Sequence, residues 1–385
     1  MSTAATTTKT TEPDYSLNSS DVVEKYRTAG SISQKVLDHV KSLVKDGAKI
    51  WDIAQEGDAL IEEETSKIYN SKKNKVESKG IAFPTSLSPN NIADHLSPIN
   101  AEDAQSNLTL KTGDVVKVHL GTQIDGFASI VSETVVVGAS AQEPVTGKKA
   151  DLLTAAYKAS EAALRTIKPG NKNWDVTKVV AQVAKEYGVV PLEGMLTHNQ
   201  ERNVLTGPKE IIINPNEEQK GQVDTFEFEE GQVFGLDILM STGEGKVKAS
   251  EARTTIYKLT GNNYQLKLKS SHLVLNEIKR KASHFPFSIK NLDDPTKGRT
   301  GLKENCNHGV MIAYDVYQEK EGEQIAQVYV TVALTKNGLV KLTSSPFDES
   351  VVKSEKVLGD DLNELLSKPL KVNKKKSKAA KEEAK

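Results

Sequence analysis

Apolar residues along this chain recur with two different periods. Ile32, Val36, Val40, Leu43 and Val44 fall on one face at helical spacing, and so do Ala156, Ala159, Ala163 and Ile167. Each set predicts an amphipathic helix. Elsewhere the period is two. Val116, Val118 and Leu120 alternate with Val115, Lys117 and His119, and Phe234, Leu236 and Ile238 alternate with Val233, Gly235 and Asp237. Both runs predict strands with two distinct faces. A further strand is expected at 327–334, where Val328, Val330, Val332 and Leu334 alternate. A further helix is expected at 271–282, with Leu275 and Ile278 on one side.

These elements repeat. Lys45 to Ile53, around Trp51, matches Lys168 to Val176, around Trp174, at an offset of 123 residues. Gly47 and Gly170 each follow a helical pattern and fit the C′ position, where positive φ is cheap for glycine. The strand opening at Gly113 parallels the one opening at Gly231, at an offset of 118. His119 and Asp237 thereby become equivalent positions of two half-domains. Helices followed by strands, twice over, predict an α+β fold in which helices cover a mostly antiparallel sheet. A pocket is expected at the pseudo-two-fold between the halves.

Composition narrows the function classes. The chain has 385 residues, 37% hydrophobic and 27% charged, enough for a sizeable core. One cysteine, Cys306, excludes an internal disulfide framework and a cysteine-based zinc site, and a reducing compartment fits best. Its neighbour His308 suggests a thiol–imidazole pair, but an idle cysteine is the simpler reading. Thr242 to Gly245 lacks the lysine of a phosphate loop and reads as a turn after a strand. Residues 1–14 contain no apolar signal region, and no run approaches a membrane span of ~18 apolar residues. A soluble intracellular protein is expected, and no cofactor is implied.

The net charge of −1 conceals an uneven distribution. Residues 265–303 carry nine basic and three acidic side chains, and 368–385 carry eight lysines and two glutamates. Each segment is +6, and the chain without its tail is −7. The expected organisation is a disordered segment at 1–17, one domain at 18–345 with an insertion near 261–322, and a C-terminal extension at 346–385 with a Lys-rich tail.

The duplicated halves, the phrase Ala82-Phe83-Pro84-Thr85-Ser86-Leu87-Ser88-Pro89-Asn90-Asn91 and the stretch Ser241 to Gly245 resemble the type 2 methionine aminopeptidases. The resemblance spans roughly 18–345 and implies the pita-bread fold with an insertion in its second half. That family holds two metal ions with two aspartates, one histidine and two glutamates, hard ligands suited to activating a bridging water. Carried over singly, those positions fall on His119, Ile130, Met195, Asp237 and Tyr329. Asp237 alone keeps a carboxylate, isoleucine offers no lone pair, and tyrosine ionises near pH 10. The resemblance therefore implies a degenerate site with no metal and no peptidase activity. One substrate-facing histidine of the family is retained as His95, and a second falls on Asn203.

Ser271 to Leu275, Leu192 to His198, Ser241 to Lys248, Arg253 to Lys258 and the Lys-rich ending resemble a non-peptidase branch of the same family, that of the proliferation-associated and curved-DNA-binding proteins. Length and tail are most similar to the curved-DNA-binding members. This implies nucleic-acid binding, curved DNA preferred, residence in the nucleus and also the cytoplasm, and association with ribosomal RNA or the large ribosomal subunit. The residues themselves offer Lys371, Lys374, Lys375, Lys376 and Lys378 as a run that neutralises phosphates. The tail has no aromatic residue for stacking, which favours backbone and shape recognition over base readout. The same lysines also suit a solvated tail or a nuclear import signal. Lys279, Arg280 and Lys281 in the basic insertion form the second expected nucleic-acid contact, directed at the ribosome.

Overall fold

Alternating strands with two apolar faces need cover on both sides, and the architecture supplies it twice. A computed structural model describes residues 14–99 and 108–371. The first half runs α1 (Ser20–Leu43), α2 (Ile50–Ser66), β1 (Lys79–Pro89), β2 (Val115–Ile124) and β3 (Phe127–Val136). The second half begins with α3 (Gly147–Thr166), α4 (Asn173–Tyr187), β4 (Val190–Pro191), β5 (Leu196–Gln200) and β6 (Glu210–Ile212). It continues through α5 (Glu217–Lys220), β7 (Val233–Ser241) and β8 (Lys248–Ala249). A small layer follows, with β9 (Ile256–Leu259), α6 (Lys269–Lys281), β10 (Phe287–Ser288), α7 (Pro295–Asn307), β11 (Met311–Tyr314) and β12 (Tyr317–Gln318). The chain then returns as β13 (Ile325–Thr335) and β14 (Gly338–Lys341) and ends in α8 (Asp360–Ser367).

One antiparallel sheet unites the halves, in the order β1-β2-β3-β13-β7-β5-β6, with β14 on β13 and β4 on β7. The seam is the pairing of β3 with β13. Val116, Val118, Leu120 and Val131 pack under α1 and α2. Phe234, Leu236, Ile238, Val328, Val330, Val332 and Leu334 pack under α3 and α4. This is the expected α+β pita-bread arrangement. The repeated tryptophan phrase opens α2 and α4, and Asp175 accepts from the Lys172 backbone N–H at 2.9 Å, which steadies the first turn of α4. Gly47 and Gly170 do take positive φ, +77° and +88°. They lie three residues past the C-caps Val44 and Ile167, in the turn between paired helices and not at C′.

The inserted layer is a three-stranded sheet, β10-β9-β11, backed by α6 and α7 around Val274, Ile278, Leu302 and Met311. It lies over the sheet face that the helices leave open. The extension after Ser345 folds back on the second half. Val145 exchanges backbone hydrogen bonds with Val351 and Lys353, and Leu358 and Leu362 enter the core of that half. Of the expected N-terminal segment, residues 1–13 lie outside the described residues. The tail lysines Lys374, Lys375, Lys376 and Lys378 do so too.

Candidate functional site

Strand register brings three of the positions that the resemblance matches to metal ligands, His119, Tyr329 and Asp237, into one row. His119 of β2 pairs with Ser132 of β3, and Tyr329 of β13 pairs with Ser132 on one side and Asp237 of β7 on the other. Alternation turns these side chains to the face away from the helices. Ile130 faces the same way, two residues from Ser132. Met195 does not join the row. It precedes β5 and packs among Ala93, Leu192, Leu239 and Ile325.

The expected pocket at the pseudo-two-fold is filled by the chain's own side chains. Phe83 stacks on His119 at 4.4 Å between ring centroids and 3° between planes. Tyr329 lies on the other side of the imidazole at 5.3 Å. Tyr314 meets Phe83 and His95 edge-on at 5.6 and 5.2 Å. Ile130, Leu205, Ile256 and Phe285 complete the plug. Tyr314, Ile256 and Phe285 come from the inserted layer, which thereby seals the site. The open space at this seam, about 860 Å³, lies on the helix side, between Lys41 of α1 and Leu153 and Tyr157 of α3.

Beneath the aromatic plug runs a buried polar chain. His119 Nδ1 meets Asp94 Oδ2 at 2.8 Å. Gln327 Nε2 donates to both Asp94 and Asp237, each at 3.0 Å, and Ser132 donates to Gln327 Oε1 at 2.8 Å. Gln200 donates to the Tyr329 hydroxyl at 3.1 Å. Burial opposes charge on Asp94, yet the facing His119 and His95 rings hold its carboxyl well below the usual range. Burial likewise opposes charge on His119, but Asp94 raises it above an ordinary histidine. For Asp237, burial and the Asp94 charge push the carboxyl up to about 7, against the pull of His119 and Gln327. Burial raises the Tyr329 phenol and takes that of Tyr314 to about 12. Nearby Lys117 is fully enclosed and donates to the Asn90 carbonyl at 2.7 Å, and burial lowers its ammonium well below normal.

Two metal ions do not fit these residues. The His119 Nδ1 atom is taken by Asp94, and its Nε2 atom has no polar partner between two aromatic rings. Ile130, at the position that the resemblance matches to a carboxylate, offers only methyl groups. Tyr329 would have to ionise far above its usual range to act as a ligand. Among the described residues no group of three or more His, Cys, Asp or Glu side chains gathers in a metal-holding arrangement.

His95 adopts positive φ, +69°, and contacts the Asp315 carbonyl through Nδ1 at 3.2 Å. Asn203 sits in a turn against the β2–β3 hairpin, its N–H on the Gly126 carbonyl, away from the aromatic cluster. Cys306 is half-buried in α7 while His308 stacks on Tyr264, so no thiol–imidazole pair forms. The sequence pattern does not mark Asp94, Gln327, Ser132 or Tyr314 as site residues. For Asp94 the one signal is its place beside His95, four residues after the Asn-Asn phrase begins.

The candidate nucleic-acid contacts are partly tied down. Lys281 bonds Glu277 and Asp293 at 2.8 and 2.7 Å, and Arg280 lies 3.6 Å from Asp293. Lys279 is exposed, with no such partner among the described residues. Lys371 is exposed and bridges Gly338 through its backbone. Among the described residues no helix is long and apolar enough to cross a membrane.

Comparison with known proteins gives these findings. The model of metallopeptidase family M24 matches residues 24–258. The chain is 47% identical over 383 residues to the curved DNA-binding protein of Schizosaccharomyces pombe, covering 99% of this chain and 98% of that protein. It is 39% identical to proliferation-associated protein A of Dictyostelium discoideum, covering 93% and 91%. The solved structure of a thermophilic Arx1 superposes with a TM-score of 0.85 at 33% identity, covering 92% of this chain and 99% of that one.

Proposed function

The chain belongs to metallopeptidase family M24, and from that premise we propose that it has lost peptidase chemistry and binds nucleic acid through backbone and shape, preferring curved DNA. The observation that carries the first half is the stack of Phe83, His119 and Tyr329 where ligands and substrate would have to meet. A site whose carboxylates and imidazole are already bonded to one another, and which has no space for a substrate, can neither activate water nor admit a peptide. The second half is supported by the name of the fission-yeast relative, similar over nearly its whole length, and by the lysines that follow Lys371. A pre-bent duplex lowers the deformation cost of contact with a folded surface, so curvature can be read without bases. Nuclear residence, with a share in the cytoplasm, follows from this reading.

Loss of chemistry is tested by incubating the chain with manganese or cobalt and a methionyl peptide. No methionine release above the protein-free control is expected. Release that saturates at two metals per chain would overturn the proposal.

A second reading, binding to ribosomal RNA of the large subunit, is favoured by one observation. The end of α6 projects Lys279 and Arg280 from the inserted layer, both exposed. Lys279→Glu with Arg280→Glu is expected to weaken co-sedimentation with large ribosomal subunits if this reading holds. Unchanged sedimentation would count against it.

A further inference from the structure

The root of the Lys-rich tail is held in a fixed place. Arg165 Nε donates to the Lys368 carbonyl at 2.8 Å, while its NH1 atom is tied to Glu161 at 2.7 Å. Leu339 donates its backbone N–H to Leu370 at 3.1 Å, and Lys371 bridges Gly338. The tail therefore leaves the folded body at the β13–β14 turn, beside the end of α3.

That exit is itself basic. A hollow of about 150 Å³ is lined by Arg165, Lys168, Lys336 and Glu230 together with apolar and backbone groups. Lys168, Lys336 and Lys371 are exposed and, among the described residues, have no carboxylate within ion-pair distance. Lys368 pairs with Glu364 at 2.9 Å, both side chains being largely exposed. Such an exposed pair exchanges readily with another anion, since water screens both partners. Among the described residues, Glu230 is the one acidic side chain on the hollow.

We propose that Lys168, Lys336 and Lys371 form a phosphate-binding patch on the folded body, continuous with the tail, that grips the backbone of a double-stranded nucleic acid. This deepens the nucleic-acid reading above and rests on it. The geometry of the chain makes the two parts act together. Lys378 is seven residues beyond Lys371, so it reaches at most roughly 25 Å from it. A duplex presents about fifteen charges over that length. The tail lysines and the body lysines are therefore confined to one stretch of backbone. A rigid patch beside a lysine run also gives the tail a direction on the duplex, which a free tail lacks.

The test uses the full chain and the slope of log binding constant against log salt, read on duplex DNA and duplex RNA in parallel. Each phosphate contact contributes about 0.9 to that slope on B-form DNA. Lys168→Gln with Lys336→Gln is expected to reduce the DNA slope by about 2. Replacing Lys374, Lys375, Lys376 and Lys378 by Gln is expected to leave weak, salt-sensitive binding that the combined variant loses. Glu230→Gln is expected to tighten binding. A wild-type slope in the double variant, with wild-type binding intact, would overturn this inference alone. So would a tail variant with no residual binding, or a Glu230→Gln variant with unchanged affinity. A wild-type chain that binds neither duplex would overturn the nucleic-acid reading as well. The RNA arm identifies which duplex the patch prefers.

Discussion

Asp237 ends a chain of buried groups in which each charge depends on the next. Its carboxyl, raised to about 7 by burial and by Asp94, holds a proton in the folded state that an exposed aspartate would release. Between pH ~4 and ~7 the folded chain thus binds more protons than the unfolded one, and stability falls as pH rises, by up to about 1.4 kcal/mol per pH unit for one proton. His119 acts in the same direction. Its raised pKa stabilises below the ordinary histidine range, and that contribution is lost as pH rises through the folded value. Asp94, held low, stabilises above the usual carboxylate range and loses that contribution only in strong acid. Urea unfolding midpoints are expected to be highest in mildly acidic buffer. Asp237→Asn can still accept from Gln327 and is expected to flatten the decline toward pH 8. An unchanged pH profile would show that Asp237 is ionised throughout. His119, Asp237 and Tyr329 are legible in the sequence because alternating strands fix which way they face. Asp94 is not, because it lies in an irregular segment and its weight comes from a ring 25 residues away.

At the scale of elements, β7 and β13 show how little room the filled site leaves. Gly235 faces the Tyr329 hydroxyl, and a Cβ built there would stand 1.8 Å from that oxygen. Gly235→Ala is expected to destabilise the chain by about 1–3 kcal/mol through overpacking. Adding Tyr329→Phe removes the clashing oxygen and is expected to recover part of the loss, read as a coupling in a double-mutant cycle of unfolding midpoints. Purely additive effects would contradict the contact. The elements α1, α3, β2, β7 and β13 are legible from period alone, since each buries one apolar face in its own half, and the duplication is legible from the repeated tryptophan phrase. The plug is not. Ile256, Phe285 and Tyr314 belong to short strands and loops of the inserted layer, where no local pattern says what they cover. The turn glycines illustrate the same limit. Their positive φ follows from the residue type, but their distance from the helix end is set by how α1 and α2, or α3 and α4, are joined.

Across the whole molecule, an acidic body bears clusters of basic side chains on the inserted layer and at the tail root. The face that carries His119, Asp237 and Tyr329 is covered by aromatic side chains, and the proposed nucleic-acid contacts lie on the outside of the fold. Duplex recognition by a rigid surface and duplex attraction by a lysine tail differ in one respect. The tail is indifferent to the path of the helix axis, whereas a rigid surface favours a duplex already bent to meet it. The direct measurement is a titration of the full chain against curved and straight DNA of equal length and composition, at low and near-physiological salt. Tighter binding to the curved duplex that persists at the higher salt is the predicted result. Equal binding to both that vanishes with salt would contradict it, leaving a lysine tail without shape recognition.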